Sequence, residues 1–328
     1  MQFYSLGFII KAACENSRKS ARRNAMDNPQ KWLLPPAGRV DAVLDTDTYN
    51  EIDDQFALSF MMKTPEKFCM KAVYAAPFFN GNSSSPEDGM EKSYDEIINL
   101  LTLMDRTDFI KNVYKGSRGY LADEKTPQPS PAAEHLVSLA KGYSPENRLY
   151  VVAIGAITNV ASALLLCPEI ANNIVIVWLG GHARHFPHTQ EFNMMQDIAA
   201  ARVVFSCPSP LVQLPCGGTV DYCATSAPEL RYWLEGKNAL CDYLVSHTVE
   251  EAESYGKGKP WTRVIWDITA PMWLMNEKGN LMSSSVMPAA MPEYDYSYSY
   301  PENGKPMAYT RFVYRDAIFE LLFKTLAK

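Results

Sequence analysis

The chain has 328 residues, with 31 Lys plus Arg against 37 Asp plus Glu for a formal charge of −6, and is 47% apolar and 21% charged. This is globular rather than disordered usage, and the length supports one large core. An acidic balance without a long basic face disfavours nucleic acid as a partner and leaves small polar ligands open. Seven cysteines without a C-x-x-C pair argue against a disulfide framework or a zinc knuckle, and for reduced thiols in a cytoplasmic setting.

Residues 1–36 read as a peripheral N-terminal segment. The opening MQFYSLGFIIK has no basic stretch before its apolar patch and no small-residue cleavage site after it, so no signal peptide is expected. Arg18, Lys19, Arg22 and Arg23 read as a solvated helix face. From residue 37 to 328 strand and helix signals alternate. Strands are predicted over 40–44, 69–75, 149–154, 174–179 and 211–214, and helices over 54–63, 87–104, 131–141, 157–166, 198–205, 228–234 and 239–254. Repetition of strand followed by helix predicts an α/β fold, a single large domain with a mainly parallel open sheet flanked by helices.

The run LYVVAIGAITNVASALLLCP at 149–168 is uncharged for twenty residues, long enough to span a bilayer. The β-branched VVAI, Gly155 and the polar Thr158-Asn159 divide it instead into strand, turn and helix, so no membrane span is expected. EYDYSYSY at 293–300 reads as an exposed strand or loop with aromatic rungs, in preference to a ligand-stacking surface. YTRFVY at 309–314 predicts a strand before a closing helix from Asp316.

The densest chemical signal is VLDTDTYNEIDDQFAL at 43–58. An apolar strand delivers Asp45 and Asp47 at its C-terminal end, where ligands bind in parallel α/β sheets. Asp53 and Asp54 follow at a helix start. One of them is explained as a helix cap, but four carboxylates this close repel one another unless a proton, a base or a cation intervenes. Oxygen donors at this density suit Ca²⁺ or Mg²⁺, and Ca²⁺ tolerates irregular geometry with carbonyls and waters.

This stretch resembles the N-terminal signature of the inosine-uridine type nucleoside hydrolase family, in which Asp-x-Asp at a strand end precedes an Asp-Asp pair. Further likenesses follow in order: AAPFFN with Asn80, VVAIGAITNVASAL with the Ile154 carbonyl, VWLGG followed by Glu191-Phe192-Asn193, and Asp267 in VIWDITAPMW. The resemblance implies Ca²⁺-dependent hydrolysis of a ribonucleoside N-glycosidic bond, releasing ribose and free base. It implies metal ligation by Asp47, Asp54, the Ile154 carbonyl and Asp267, with Asp47 also taking the proton of the attacking water. Asp53, Asn80, Glu191 and Asn193 would hold ribose hydroxyls, and Asp45 would support this shell by hydrogen bonding. A nucleoside is the expected partner, and the protein is expected to be a homo-oligomer.

The chain departs from the family pattern at informative places. Five residues, TYNEI, separate Asp47 from the Asp-Asp pair, so the metal loop is longer than usual. Trp266 stands directly before Asp267, where uridine-accepting members carry a histidine acid. Purine-preferring members resemble this chain there, which implies a purine substrate stacked on the indole; the ordinary alternative is a core tryptophan. In HARHFPH, Pro187 prevents His182, His185 and His188 from sharing a helical face. One of them, with His185 as the candidate, could act as a leaving-group acid, against the default of exposed loop histidines and the weaker reading as zinc ligands. Two other classes compete: a metal-dependent nucleoside- or ribose-binding protein with little turnover, and a haloacid-dehalogenase-type phosphatase. The phosphatases share Asp-x-Asp but want a small residue where this chain has Tyr49.

Overall fold

The computed structural model describes residues 29–328. The N-terminal apolar patch, the basic run from Arg18 to Arg23 and Cys14 lie outside them. A short 3-10 helix, Pro29–Leu33, comes first; Leu33 is buried, and the Trp32 ring lies 6.2 Å from that of Tyr150.

The chain then alternates as β1 (Val40–Thr46), α1 (Asp53–Met62), β2 (Phe68–Ala75), α2 (Pro86–Leu103), β3 (Val113–Lys115), α3 (Pro131–Ala140), β4 (Leu149–Ala153), α4 (Thr158–Leu166), β5 (Ile174–Leu179), α5 (Phe192–Gln196), α6 (Ile198–Ser206) and β6 (Leu211–Leu214). It continues as β7 (Ala224–Thr225), α7 (Ala227–Leu234), α8 (Ala239–Gly256), β8 (Arg263–Val264), α9 (Thr269–Met275), β9 (Met282–Pro288), β10 (Met291–Pro292), β11 (Tyr298–Ser299), β12 (Pro306–Val313) and α10 (Arg315–Leu326).

Eight strands form one sheet in the order β3-β2-β1-β4-β5-β6-β12-β9. All pairings are parallel except that of β12 with the edge strand β9. The parallel core follows from strands apolar on both faces. In β5, Val175, Val177 and Leu179 pack into one helix layer while Ile174, Ile176 and Trp178 pack into the other. Period-two side chains thus build two cores, one on each side of the sheet. The uncharged run at 149–168 resolves into β4, the Gly155 turn and α4, and no described helix is long and apolar enough to cross a membrane.

β1 has β2 on one side and β4 on the other. Strand order therefore reverses at β1 and β4, and a crevice opens beyond their C-terminal ends. Two strands of this sheet escape prediction, β3, only three residues long, and the serine-rich edge strand β9, as do the two-residue strands β7, β8 and β10 outside it. The tyrosine-rich stretch is only partly the exposed ladder expected from its alternation. Tyr294 and Tyr300 are exposed, but the Tyr298 hydroxyl is turned inward, accepting from Gln213 Nε2 at 3.0 Å and donating to the His182 carbonyl at 3.3 Å.

Candidate active site

The crevice carries the aspartates. Asp45 and Asp47, at and just beyond the end of β1, are fully buried, as are Asp53 and Asp54 in the first turn of α1 to within a few per cent. Asp45 accepts from Asn159 Nδ2 at 2.8 Å, and the same amide nitrogen donates to the Ala75 carbonyl at 3.2 Å, so α4 braces the end of β1 against β2. Burial nevertheless pushes the Asp45 carboxyl up to about 7. Thr46 Oγ1 donates to Asp54 and lies 2.9 Å from Thr48 Oγ1.

Both carboxylate oxygens of Asp47 are buried without a hydrogen-bond partner. Burial first, then the charges of Asp54 and Asp53, hold this carboxyl well above the usual range. Asp53, Asp54 and Asp267 bring oxygens within 4.8 Å of one another, a spacing one cation can bridge. Burial and neighbouring carboxylates also raise Asp54 to about 8. A set of hard oxygen donors with two orphaned oxygens beside it fits a divalent cation, which would supply the compensation that no hydrogen bond gives Asp47.

Asp53 is the most committed of the set. Its Oδ2 accepts from the amides of Trp266 at 3.1 Å and Asp267 at 3.3 Å, and its Oδ1 lies 3.4 Å from Arg263 Nη2. These contacts tie α1 to the segment before α9 and bring Asp267 beside the Asp-Asp pair, more than two hundred positions away in the chain.

A cavity of about 220 Å³ lies over this cluster, lined among others by Asn50, Glu51, Asp53, Ile154, Glu191 and Asn193, with Trp266 and Asp267 completing one wall. Glu191 caps the N-terminus of α5: its carboxylate accepts from the amides of Gly181 at 2.7 Å, Asn193 at 3.0 Å and Met194 at 3.0 Å. Burial raises it to about 7 against the pull of those amides. Asn193 Nδ2 donates to the carbonyls of Ile154 at 2.9 Å and Leu179 at 3.1 Å, joining the ends of β4 and β5 and leaving its amide oxygen as the remaining acceptor.

Two expected residues sit elsewhere. Asn80 does not line the cavity; its Nδ2 donates to Asn50 Oδ1 at 2.5 Å, and Asn50 is the residue on the wall. His185 is exposed and packs against Phe186, while His182 borders the cavity. The Gly217 amide donates to His182 Nδ1 at 3.1 Å, which puts the proton of the neutral ring on Nε2. Burial, then nearby His188, keep this imidazole below its ordinary pKa. Cys216 and Arg263 lie in no motif and escape sequence reading; Asn50 and Glu51 stand without a role in the TYNEI loop, and among the three loop histidines only folding singles out His182 at the wall.

A profile of the inosine-uridine preferring nucleoside hydrolase family matches residues 42–291, which contain this entire constellation. The chain belongs to that family. This nucleoside hydrolase also shares its fold with solved structures at 17% identity: a plant nucleoside hydrolase, PpNRh1 (TM-score 0.69, covering 88% of this chain and 99% of that one), an inosine-guanosine nucleoside hydrolase (0.70, 88% and 98%), and a purine-preferring ribonucleoside hydrolase from Gardnerella vaginalis (0.65, 88% and 98%). No curated protein sequence matches it. The protein is a hydrolase acting on N-glycosyl compounds, and its buried aspartate cluster is a candidate metal site.

Proposed function

We propose that this nucleoside hydrolase cleaves purine ribonucleosides with Ca²⁺ as its metal. The observation that carries the reading is the orphaned, fully buried Asp47 carboxylate beside the Asp53, Asp54 and Asp267 cluster, under a cavity walled by Trp266. Asp47, Asp54, the Ile154 carbonyl and Asp267 hold the ion. When bound, Ca²⁺ offsets the mutual repulsion of these carboxylates and makes a nearby water easier to deprotonate.

The protein groups do the rest. Asp47 accepts the proton of the attacking water. Asp53, Glu191 and Asn193 hold ribose hydroxyls and fix the anomeric carbon relative to that water. Asn80 acts one layer back, through Asn50, and Asp45 steadies the end of β1 through Asn159. As the oxygen of water bonds to the anomeric carbon, the C–N bond breaks and its electron pair leaves with the base, which takes up a proton. Stacking on Trp266 holds a purine while this happens. Of the loop histidines, His182 is the one within the cavity wall and presents its Nε2–H as a neutral donor to the base.

Incubation with inosine, adenosine, guanosine, uridine and a phosphomonoester, with and without a calcium chelator, tests the proposal. Chelator-sensitive release of ribose, faster from the purine nucleosides than from uridine, is expected. Equal rates for inosine and uridine would remove the purine preference. Saturable nucleoside binding without product would mark a binding protein, and phosphate release a phosphatase.

A further inference from the structure

The extra length of the loop after Asp47 has a structural correlate. It carries Glu51 to the cavity wall, where Glu51 is bound by Arg263 Nη2 at 2.6 Å. Arg263, on the two-residue strand β8 paired with β7, has only 5% of its side chain exposed. Its guanidinium also pairs with Asp53 at 3.4 Å and with Glu251 of α8 at 3.4 Å, and it lies 4.8 Å from the centre of the Trp266 ring. One cation thus joins the metal-site loop, the first turn of α1, α8 and the indole. The Trp266 indole N–H is buried with no hydrogen-bond partner, so no hydrogen bond from the ring sets its rotation.

We propose that Arg263 is a positioning residue for base recognition: stacked on Trp266, it holds the indole against the cavity and leaves the opposite face to the purine, while Glu51 locks the longer loop to the same cation. The inference rests on the reading of Trp266 as the base-stacking group. Three carboxylates surround the guanidinium, so it acts on the ligand through the ring rather than by presenting a free charge. A planar guanidinium can lie on the ring and span Glu51 and Asp53 together; a lysine ammonium keeps the charge but has no face to stack.

The test compares wild type, R263K, E51Q, W266A and R263K/W266A by inosine kinetics, by inhibition with free ribose, and by melting temperature. Loss of the planar guanidinium from the ring face should raise the inosine KM of R263K by about 3- to 30-fold. Ribose, which has no base to stack, should inhibit R263K and wild type alike. In the W266A background the same change should matter by less than about 2-fold, because the contact it removes is already gone. An equal KM increase in both backgrounds, or ribose inhibition weakened as much as inosine binding, would overturn the proposal. If R263K melts far below wild type, E51Q, at a half-exposed position, carries the same comparison with a smaller shift in the same direction. Wild type that hydrolyses no nucleoside would instead defeat the proposed function. The stacking is then read without turnover, from the Trp266 component of fluorescence, taken as each protein minus its W266F counterpart: a shift in R263K supports it, and an unchanged component overturns it.

Discussion

A β-carbon on Gly155 would stand 2.9 Å from Asp47 Oδ1, and the Gly155 carbonyl accepts from the buried Trp178 indole N–H at 3.1 Å. The turn after β4 is therefore pressed against the proposed base and pinned there from behind. Only glycine fits that approach without displacing the carboxylate.

Gly155→Ala is expected to shift Asp47 and cost about 10²-fold in turnover, with weaker Ca²⁺ affinity by calorimetry and a cooperative melt retained. Unchanged Ca²⁺ affinity and turnover would show that Asp47 does not act from this position.

Asp47→Asn should lower ribose release by about 10²- to 10⁴-fold, the range for loss of a general base. In chelator the same variant should melt at least about 2 °C above wild type, because it removes a buried charge that the metal-free protein leaves uncompensated. A variant with full ribose release would refute the assignment of Asp47 as base.

The metal-free protein should lose stability as pH rises. Burial, opposed by Arg263, leaves Asp53 raised to about 6; burial raises Glu191 to about 7, and burial with the Asp53 charge raises Asp54 to about 8. An unfolded carboxyl titrates near 4, so between about pH 4 and 8 the folded state binds more protons than the unfolded one, and stability falls with pH through that window. Melting temperatures in chelator should decline from pH 5 to pH 8, and added Ca²⁺ should raise them more at pH 8 than at pH 5. A profile flat across this range would mean the cluster is not buried as described.

His182→Ala should slow inosine hydrolysis by about 10²-fold, the lower end of the range for a group that donates a proton to the reacting base. His185→Ala should stay within about 2-fold, as expected of an exposed side chain away from the cavity. The reverse order would restore His185 as the loop's contribution to the reaction.

Stability of the metal site should follow the bridge between Asp53 and the 266–267 amides. Asp53→Ala is expected to free the segment before α9, lowering both Ca²⁺ affinity and melting temperature, whereas Glu191→Ala should chiefly uncap α5 and raise the KM for nucleoside. Calorimetric Ca²⁺ titration of both variants separates the two effects.

Local pattern in the chain already determines the strand-helix alternation and its parallel character, because strands such as IVIVWL are apolar at every position and can only be buried on both faces. It determines the aspartate pairs as well, since Asp45, Asp47, Asp53 and Asp54 lie within one strand, loop and helix start. What it does not carry is which distant groups meet them. Asp267 reaches the cluster through amide contacts to Asp53, and Asn50 replaces Asn80 at the wall because an amide pair spaces them one layer apart. His182 rather than His185 borders the cavity because the Gly217 amide holds its ring. Arg263 belongs to no motif and Glu51 has no role legible in its loop, and their meeting depends on β8 pairing with β7 and on the Arg263 pair with Glu251 of α8. Edge strands such as the three-residue β3 and the serine-rich β9 are likewise settled by pairing, because too few apolar side chains mark them. The surplus of acidic residues is legible as composition; its concentration into one buried site, with Asp47 left unpartnered, is a property of the fold.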